Sequence, residues 1–347
     1  MAGESSNTGR DPATLTALFR ERRPSDDSVT FIEAADGRRL TYGDAGRVSA
    51  RLASTLTGLG ARRGDRVAAQ VAKSPEALLL YLACVRAGMV FLPMNPAYTD
   101  AEVDHVIDDA EPSVVVCDPA RRRAVRAPHV LTLDDRGGGS LIEAAMEHPD
   151  TFAEVEPDSD DVAAIIYTSG TTGRPKGAQL SHGNLASNAI ALHRSWGFGP
   201  DDVLLHALPV FHVHGLFVAT NCVLANGTGM VLLPRFDVDA VIGHLRRCTV
   251  FMGVPTYYTR LLADPRLDAP LCRDVRLFVS GSAPLPAGVH DEFRARTGHA
   301  ILERYGMTET AIITSNPLHG ERRPGTVGFP LPGVTVRLVD PTDPGVP

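Results

Sequence analysis

Lysine is nearly absent from this chain: of its 34 basic residues only Lys73 and Lys176 are lysine, the remainder being arginine. A compact ammonium at either position is therefore informative. Cysteine is sparse as well. Cys84, Cys117, Cys222, Cys248 and Cys272 are scattered, odd in number and form no Cys-x-x-Cys pair, a pattern that fits a reducing cytoplasm best. No uninterrupted apolar run approaches the length of a membrane span, and Met1 to Asp11 carry neither the basic start nor the apolar core of a secretory signal. Residues 1–13 are expected to be a disordered tail. Positive charge is not in excess either: the formal net charge of −7 opposes polyanion binding and argues against nucleic acid or a membrane surface as partner.

What is present is the composition of a globular protein. With 347 residues, 44% hydrophobic and 22% charged, the chain has room for two domains of ordinary size. Helix-like and strand-like stretches alternate from Thr14 onward. Val48, Leu52, Leu56 and Leu59 recur at helical spacing; Arg66 to Val71 reads as a strand; Ser74-Pro75-Glu76 opens an apolar helix that ends at Gly88; Val90 to Pro93 and Val114 to Cys117 are further strands. The rhythm resumes after residue 180, where Ser181 caps a helix reaching Trp196, and continues to a strand over Ala300 to Tyr305. Such alternation predicts βαβ units, largely parallel sheet and an α/β fold of two flanked sheets.

The most informative stretch is Tyr167-Thr168-Ser169-Gly170-Thr171-Thr172-Gly173-Arg174-Pro175-Lys176-Gly177, which hangs from the apolar run Val162 to Ile166. Its three glycines permit close approach of backbone to a ligand, and its hydroxyls and successive N–H groups suit an anion. Lys176 adds a point positive charge. A Walker loop requires Gly-Lys-Ser/Thr, whereas Pro175 precedes and Gly177 follows this lysine, so a P-loop NTPase is disfavoured.

Three further segments concentrate polar chemistry. Tyr305-Gly306-Met307-Thr308-Glu309-Thr310 joins an aromatic ring, hydroxyls and a carboxylate at the end of a predicted strand, where open α/β sheets bind ligands. Ser280-Gly281-Ser282-Ala283-Pro284-Leu285 ends another strand with small residues; taken alone it is equally an ordinary tight turn. His206, His212 and His214 suggest a metal site, since His212 and His214 share a face if extended, yet no further ligand of suitable spacing follows. Arg260 falls at the edge of the helical face formed by Tyr257, Tyr258 and Leu261, where a solvated arginine is the default.

The order of residues from Tyr167 to Gly177 resembles the phosphate-loop signature of the acyl-adenylate-forming enzymes, the family of acyl-CoA synthetases, luciferases and peptide-synthetase adenylation domains. Tyr305 to Thr310 is similar to the second signature of that family. The resemblance implies ATP, Mg²⁺ and CoA as partners of a small carboxylic acid: the acid becomes an acyl-adenylate, and the CoA thiol then displaces AMP. It implies Thr168, Ser169, Gly170, Thr171, Thr172, Gly173 and Lys176 around phosphate; Tyr305, Gly306 and Met307 with Ser280, Gly281 and Ser282 around adenine; Thr308 on phosphate; Glu309 on Mg²⁺. His212 would line the acyl and thiol entrance and His214 would stand near the acyl carboxylate. The likeness is closest to malonyl-CoA synthetases, whose residues matching Arg260 and Ser282 recognise the carboxylate that is not activated. A fatty-acid or aryl-acid ligase, and a catalytically idle nucleotide-binding remnant, are the alternatives.

The resemblance also implies two α/β subdomains, expected over 14–162 and 163–324, with 325–347 starting a third, β-rich piece. Members of the family continue well beyond the point matching Pro347, into a mobile C-terminal domain whose lysine assists adenylation. That domain is an expected partner of the residues read here.

Overall fold

A computed structural model describes residues 11–168 and 175–340. Its first strands, β1 (Thr30–Ala34) and β2 (Arg39–Thr41), form a hairpin. Then β3 (Arg66–Gln70), β4 (Val90–Pro93), β5 (Val114–Cys117), β6 (His129–Thr132), β7 (Val162–Thr168) and β8 (Lys176–Ser181) associate in the order β6-β5-β3-β4-β7-β8. This sheet is parallel except for β8, which runs back along β7. The remaining strands are β9 (Val203–His206), β10 (Gly229–Leu232), β11 (Val250–Gly253), β12 (Leu277–Ser280), β13 (Leu302–Met307), β14 (Ala311–Ser315) and β15 (Phe329–Pro330). With the first hairpin they build a nine-stranded sheet, β15-β14-β13-β12-β11-β9-β10-β1-β2, parallel from β13 to β1 and antiparallel at both edges.

Strand periodicity explains why both faces of each sheet are covered. Val67 and Ala69 join the core shared by the two sheets, while Ala68 between them joins a second cluster on the opposite face. The same alternation separates Leu204, Val250 and Leu277 from Leu205, Phe251 and Phe278 in the larger sheet. Side chains of successive strand residues point to opposite faces, so near-continuous apolar runs signal burial on both. Helices at Tyr42–Gly58, Pro75–Ala87 and His182–Ser195 fill the shared core. Their starts follow local rules. Ser74 accepts a hydrogen bond from Ala77 N at 3.1 Å with Pro75 in the first turn, and Ser181 forms a reciprocal capping box with Asn184. The Pro75–Ala87 helix ends at Gly88 in the left-handed region, φ 64°.

One expectation about boundaries is corrected. The sheets do not part at residue 162: β7 and β8 belong with β3 to β6, whereas β1 and β2 cross to the larger sheet. Parallel pairing of β1 with β10, Ile32 opposite Met230, draws the first hairpin away from its sequence neighbours. Within residues 325–340, β15 pairs with β14 at the outer edge of that sheet. The start of the chain departs similarly: Asp11, expected in a tail, holds Arg194 through both carboxylate oxygens at 2.6 and 2.9 Å. Residues 1–10 lie outside the described part. Among the described residues no helix is long and apolar enough to cross a membrane.

Candidate active site

The carboxyl ends of β7, β9, β11, β12 and β13 open onto one cleft of about 980 Å³. Convergence at that end follows from the parallel strands, which all deliver their loops to the same side. The β7–β8 hairpin supplies Thr168 and Lys176, which stand opposite each other in register. Ser169, Gly170, Thr171, Thr172 and Gly173 lie outside the described residues.

The segment after β9 contributes His212 and His214, the turn after β12 contributes Ser282, and β13 with its turn contributes Gly306, Met307, Thr308 and Glu309. The second motif thus begins inside a strand: Tyr305 pairs with Thr314 of β14, and only Thr308 to Thr310 form the turn. Tyr305 is 46% exposed and lies outside the cleft lining. Ser280, at the end of β12, is fully buried, with its hydroxyl unpartnered among the described residues. Gly281 sits beneath the cleft surface. Built with a Cβ, it would place that atom 2.3 Å from Arg304 Cζ, so only glycine allows the guanidinium to rest on this backbone.

Ser282 has φ 69°, a left-handed conformation uncommon for a residue with a Cβ. Its hydroxyl reaches His214 Nδ1 at 3.2 Å. His214 is 5% exposed and its Nε2 has no partner among the described residues. Burial, then the nearby Arg304, push its pKa well below the usual imidazole value, so the ring facing the cleft is neutral at pH 7.

Arg260 is not among the cleft residues. It is exposed, and its guanidinium lies 4.9 Å from the centroid of the Phe236 ring. The arginine that faces the cleft is Arg304, which the sequence reading passed over. Arg304 is 4% exposed, and its Nε and Nη2 have no hydrogen-bond partner among the described residues. Burial lowers its pKa to about 10. One signal in the sequence could have found it. Arg304 stands two residues from Leu302 in β13 and so on the same side of the strand as that core leucine, and a charge at such a position is seldom left without a purpose.

The sequence profile of the AMP-binding enzymes matches residues 18–347. The chain belongs to that family. Among solved AMP-binding structures, ATP-bound MatB from Rhodopseudomonas palustris superposes with a TM-score of 0.92 at 52% identity, over 95% of this chain and 66% of that one. A malonyl-CoA ligase in a product complex with methylmalonyl-CoA and AMP superposes at 0.77 and 35% identity, over 92% and 67%. Among curated relatives, a malonate–CoA ligase of Arabidopsis thaliana is 31% identical over 96% of this chain, and the mitochondrial enzyme of Mus musculus is 39% identical over 73%. These matches take in 62% and 47% of the two relatives. The chain thus spans about half of such proteins.

Proposed function

We propose that the chain carries the adenylate-forming part of a dicarboxylate–CoA ligase, with malonate or its methyl derivative as the acid. The observation that carries this reading is Arg304: a guanidinium buried in the cleft wall, two of its nitrogens without partners among the described residues, beside the Ser282 hydroxyl and His214. Such a group calls for an anion, and a planar fork matches a carboxylate through two parallel hydrogen bonds. A fatty or aryl acid has no second carboxylate to offer it. On this reading Arg304 takes the part expected of Arg260, and Ser282 is assigned to the same carboxylate.

Chemistry follows from position. The free carboxylate bound by Arg304 leaves the other directed toward Lys176 and Thr168, where its oxygen attacks the α-phosphorus of ATP and the bond to pyrophosphate breaks. The CoA sulfur then attacks the acyl carbon, its proton leaves to solvent, and AMP departs. No enzyme nucleophile is required. Lys176, Thr168 and the loop after it stabilise phosphate charge as it redistributes, with preorganised donors acting in place of water. Tyr305, Ser280 and Gly281 are assigned to the adenine side and His212 to the entrance. Mg²⁺ fits this donor set, since Glu309 offers one exposed carboxylate beside Thr308 in the cleft that holds Lys176, and this ion takes one or two carboxylates with substrate phosphates. When bound, it would offset charge on the departing pyrophosphate.

Pyrophosphate release with a panel of acids tests the proposal. Malonate and methylmalonate should support it, and butyrate should not. Ferulate is included because a feruloyl-CoA synthase of Amycolatopsis is 36% identical over 90% of this chain. A preference for ferulate or butyrate over malonate overturns the assignment.

A further inference from the structure

Of the chain's two lysines, Lys176 is accounted for by phosphate; Lys73 is not. It follows β3 and immediately precedes Ser74, the cap of the Pro75–Ala87 helix, so it belongs to the smaller sheet. Its ammonium crosses to the larger one. Lys73 Nζ donates to the His206 carbonyl at 2.8 Å and lies 3.0 Å from His206 Nδ1. His206, the last residue of β9, is 1% exposed, and its Nε2 lies 2.9 Å from the carbonyl of Gly215. That carbonyl can only accept, so Nε2 carries the hydrogen and Nδ1 is left as acceptor for Lys73. Thr220 closes the arrangement by donating its hydroxyl to the same carbonyl at 3.1 Å.

Gly215 and Thr220 belong to a wide helical turn, His214–Thr220, with π-type hydrogen bonding. Turns of this type are rare and often mark functional sites. The first residue of the turn is His214, which meets Ser282 and faces the cleft. Gly215 lies close against the segment that follows β9, since a Cβ there would come within 2.0 Å of Pro209 O. Lys73 also borders a neighbouring, mostly apolar cavity of about 330 Å³ that touches the cleft at Pro209 and Tyr257. It therefore stands where the two sheets, the wide turn and the acid side of the cleft come together.

We infer that Lys73 is a positioning residue for the acid half of the site: by holding His206 in one tautomer it fixes the Gly215 carbonyl, and through the wide turn it sets the place of His214 beside Ser282 and Arg304. The role rests on the dicarboxylate reading only in naming which substrate is affected. Its alternative is a purely structural strut, which would alter stability without favouring either substrate.

The test combines spectroscopy and kinetics on Lys73→Met and Lys73→Arg. In histidine-labelled wild-type protein, nitrogen NMR should show His206 protonated at Nε2 with a hydrogen-bonded Nδ1; protonation at Nδ1 overturns the inference without any variant. In folded Lys73→Met, the His206 Nδ1 and His214 resonances should both move. Loss of a partner that orients a site histidine typically costs about 10- to 100-fold, and here the KM for acid in pyrophosphate release should rise on that scale while the KM for ATP stays unchanged. Lys73→Arg, which keeps a cationic donor, should recover most of the loss. Unmoved His214 resonances, or equal effects on acid and ATP, overturn it. Failure of the wild type to use malonate is a different outcome: it removes the substrate assignment and leaves the spectroscopic test standing.

Discussion

The Arg304 guanidinium lies directly on the backbone of Gly281, close enough that any Cβ at 281 would fall 2.3 Å from Cζ. Two strand ends, β12 and β13, are thereby coupled: one supplies the cation, the other the bare backbone on which it rests, and the next residue, Ser282, turns its hydroxyl to His214.

Replacing Arg304 with leucine should abolish use of malonate while nucleotide binding persists. Truncating one partner of a buried, hydrogen-bonded charge pair costs about 2–5 kcal/mol, which corresponds to a loss of more than tenfold in malonate-dependent pyrophosphate release. Calorimetry with ATP supplies the control. Unchanged kcat/KM for malonate would remove Arg304 from the site.

Gly281→Ala should act through the same contact. The added methyl forces the guanidinium or the strand end to shift, and overpacking of this kind costs about 1–3 kcal/mol. The expected result is a lower unfolding midpoint in urea together with a raised KM for malonate. A variant as stable as wild type, with unaltered KM, would show that Arg304 does not need this backbone.

Lys176→Gln should leave the fold intact, because Lys176 is exposed at the start of β8. Loss of one preorganised donor to developing charge costs on the order of 10²–10³ in rate, and pyrophosphate release should fall on that scale. Circular dichroism and thermal melting check the fold. A rate within a few-fold of wild type would assign phosphate stabilisation elsewhere.

His182 links stability to pH. It is fully buried at the start of the His182–Ser195 helix, with both ring nitrogens unpartnered among the described residues. Burial lowers its pKa to about 4, with Asp161 opposing the shift and Arg63 adding to it. The folded state therefore favours the neutral ring, while the unfolded chain takes up a proton near pH 6.5. Its contribution is complete above that value and is lost as pH falls toward about 4, an effect on the order of 3 kcal/mol over the window. His182→Leu should flatten the decline in urea stability between pH 6.5 and 4; an unchanged slope would place the effect in other groups.

Much of this was legible from residues that act locally. Ser74, Pro75, Gly88 and Ser181 announced helix ends because caps need only their immediate neighbours. Lys176 was conspicuous because its chemistry departs from an arginine-rich chain and because its loop has a specific order. Thr168, His212, His214, Ser282, Thr308 and Glu309 were all marked by motif and all reach one cleft.

Tertiary structure decided what depends on register and partner. Arg260 and Arg304 are indistinguishable as side chains, yet one lies over Phe236 in solvent and the other is enclosed between β12 and the cleft. The first hairpin left its neighbours because β10, nearly two hundred residues later, offered a parallel edge. Lys73 became a bridge only when His206 was placed opposite it. Local sequence carries propensity and capping, which are short-range. Burial of a charge, pairing across a sheet and the choice of a histidine tautomer are set by atoms from distant segments, and only the folded chain brings those together.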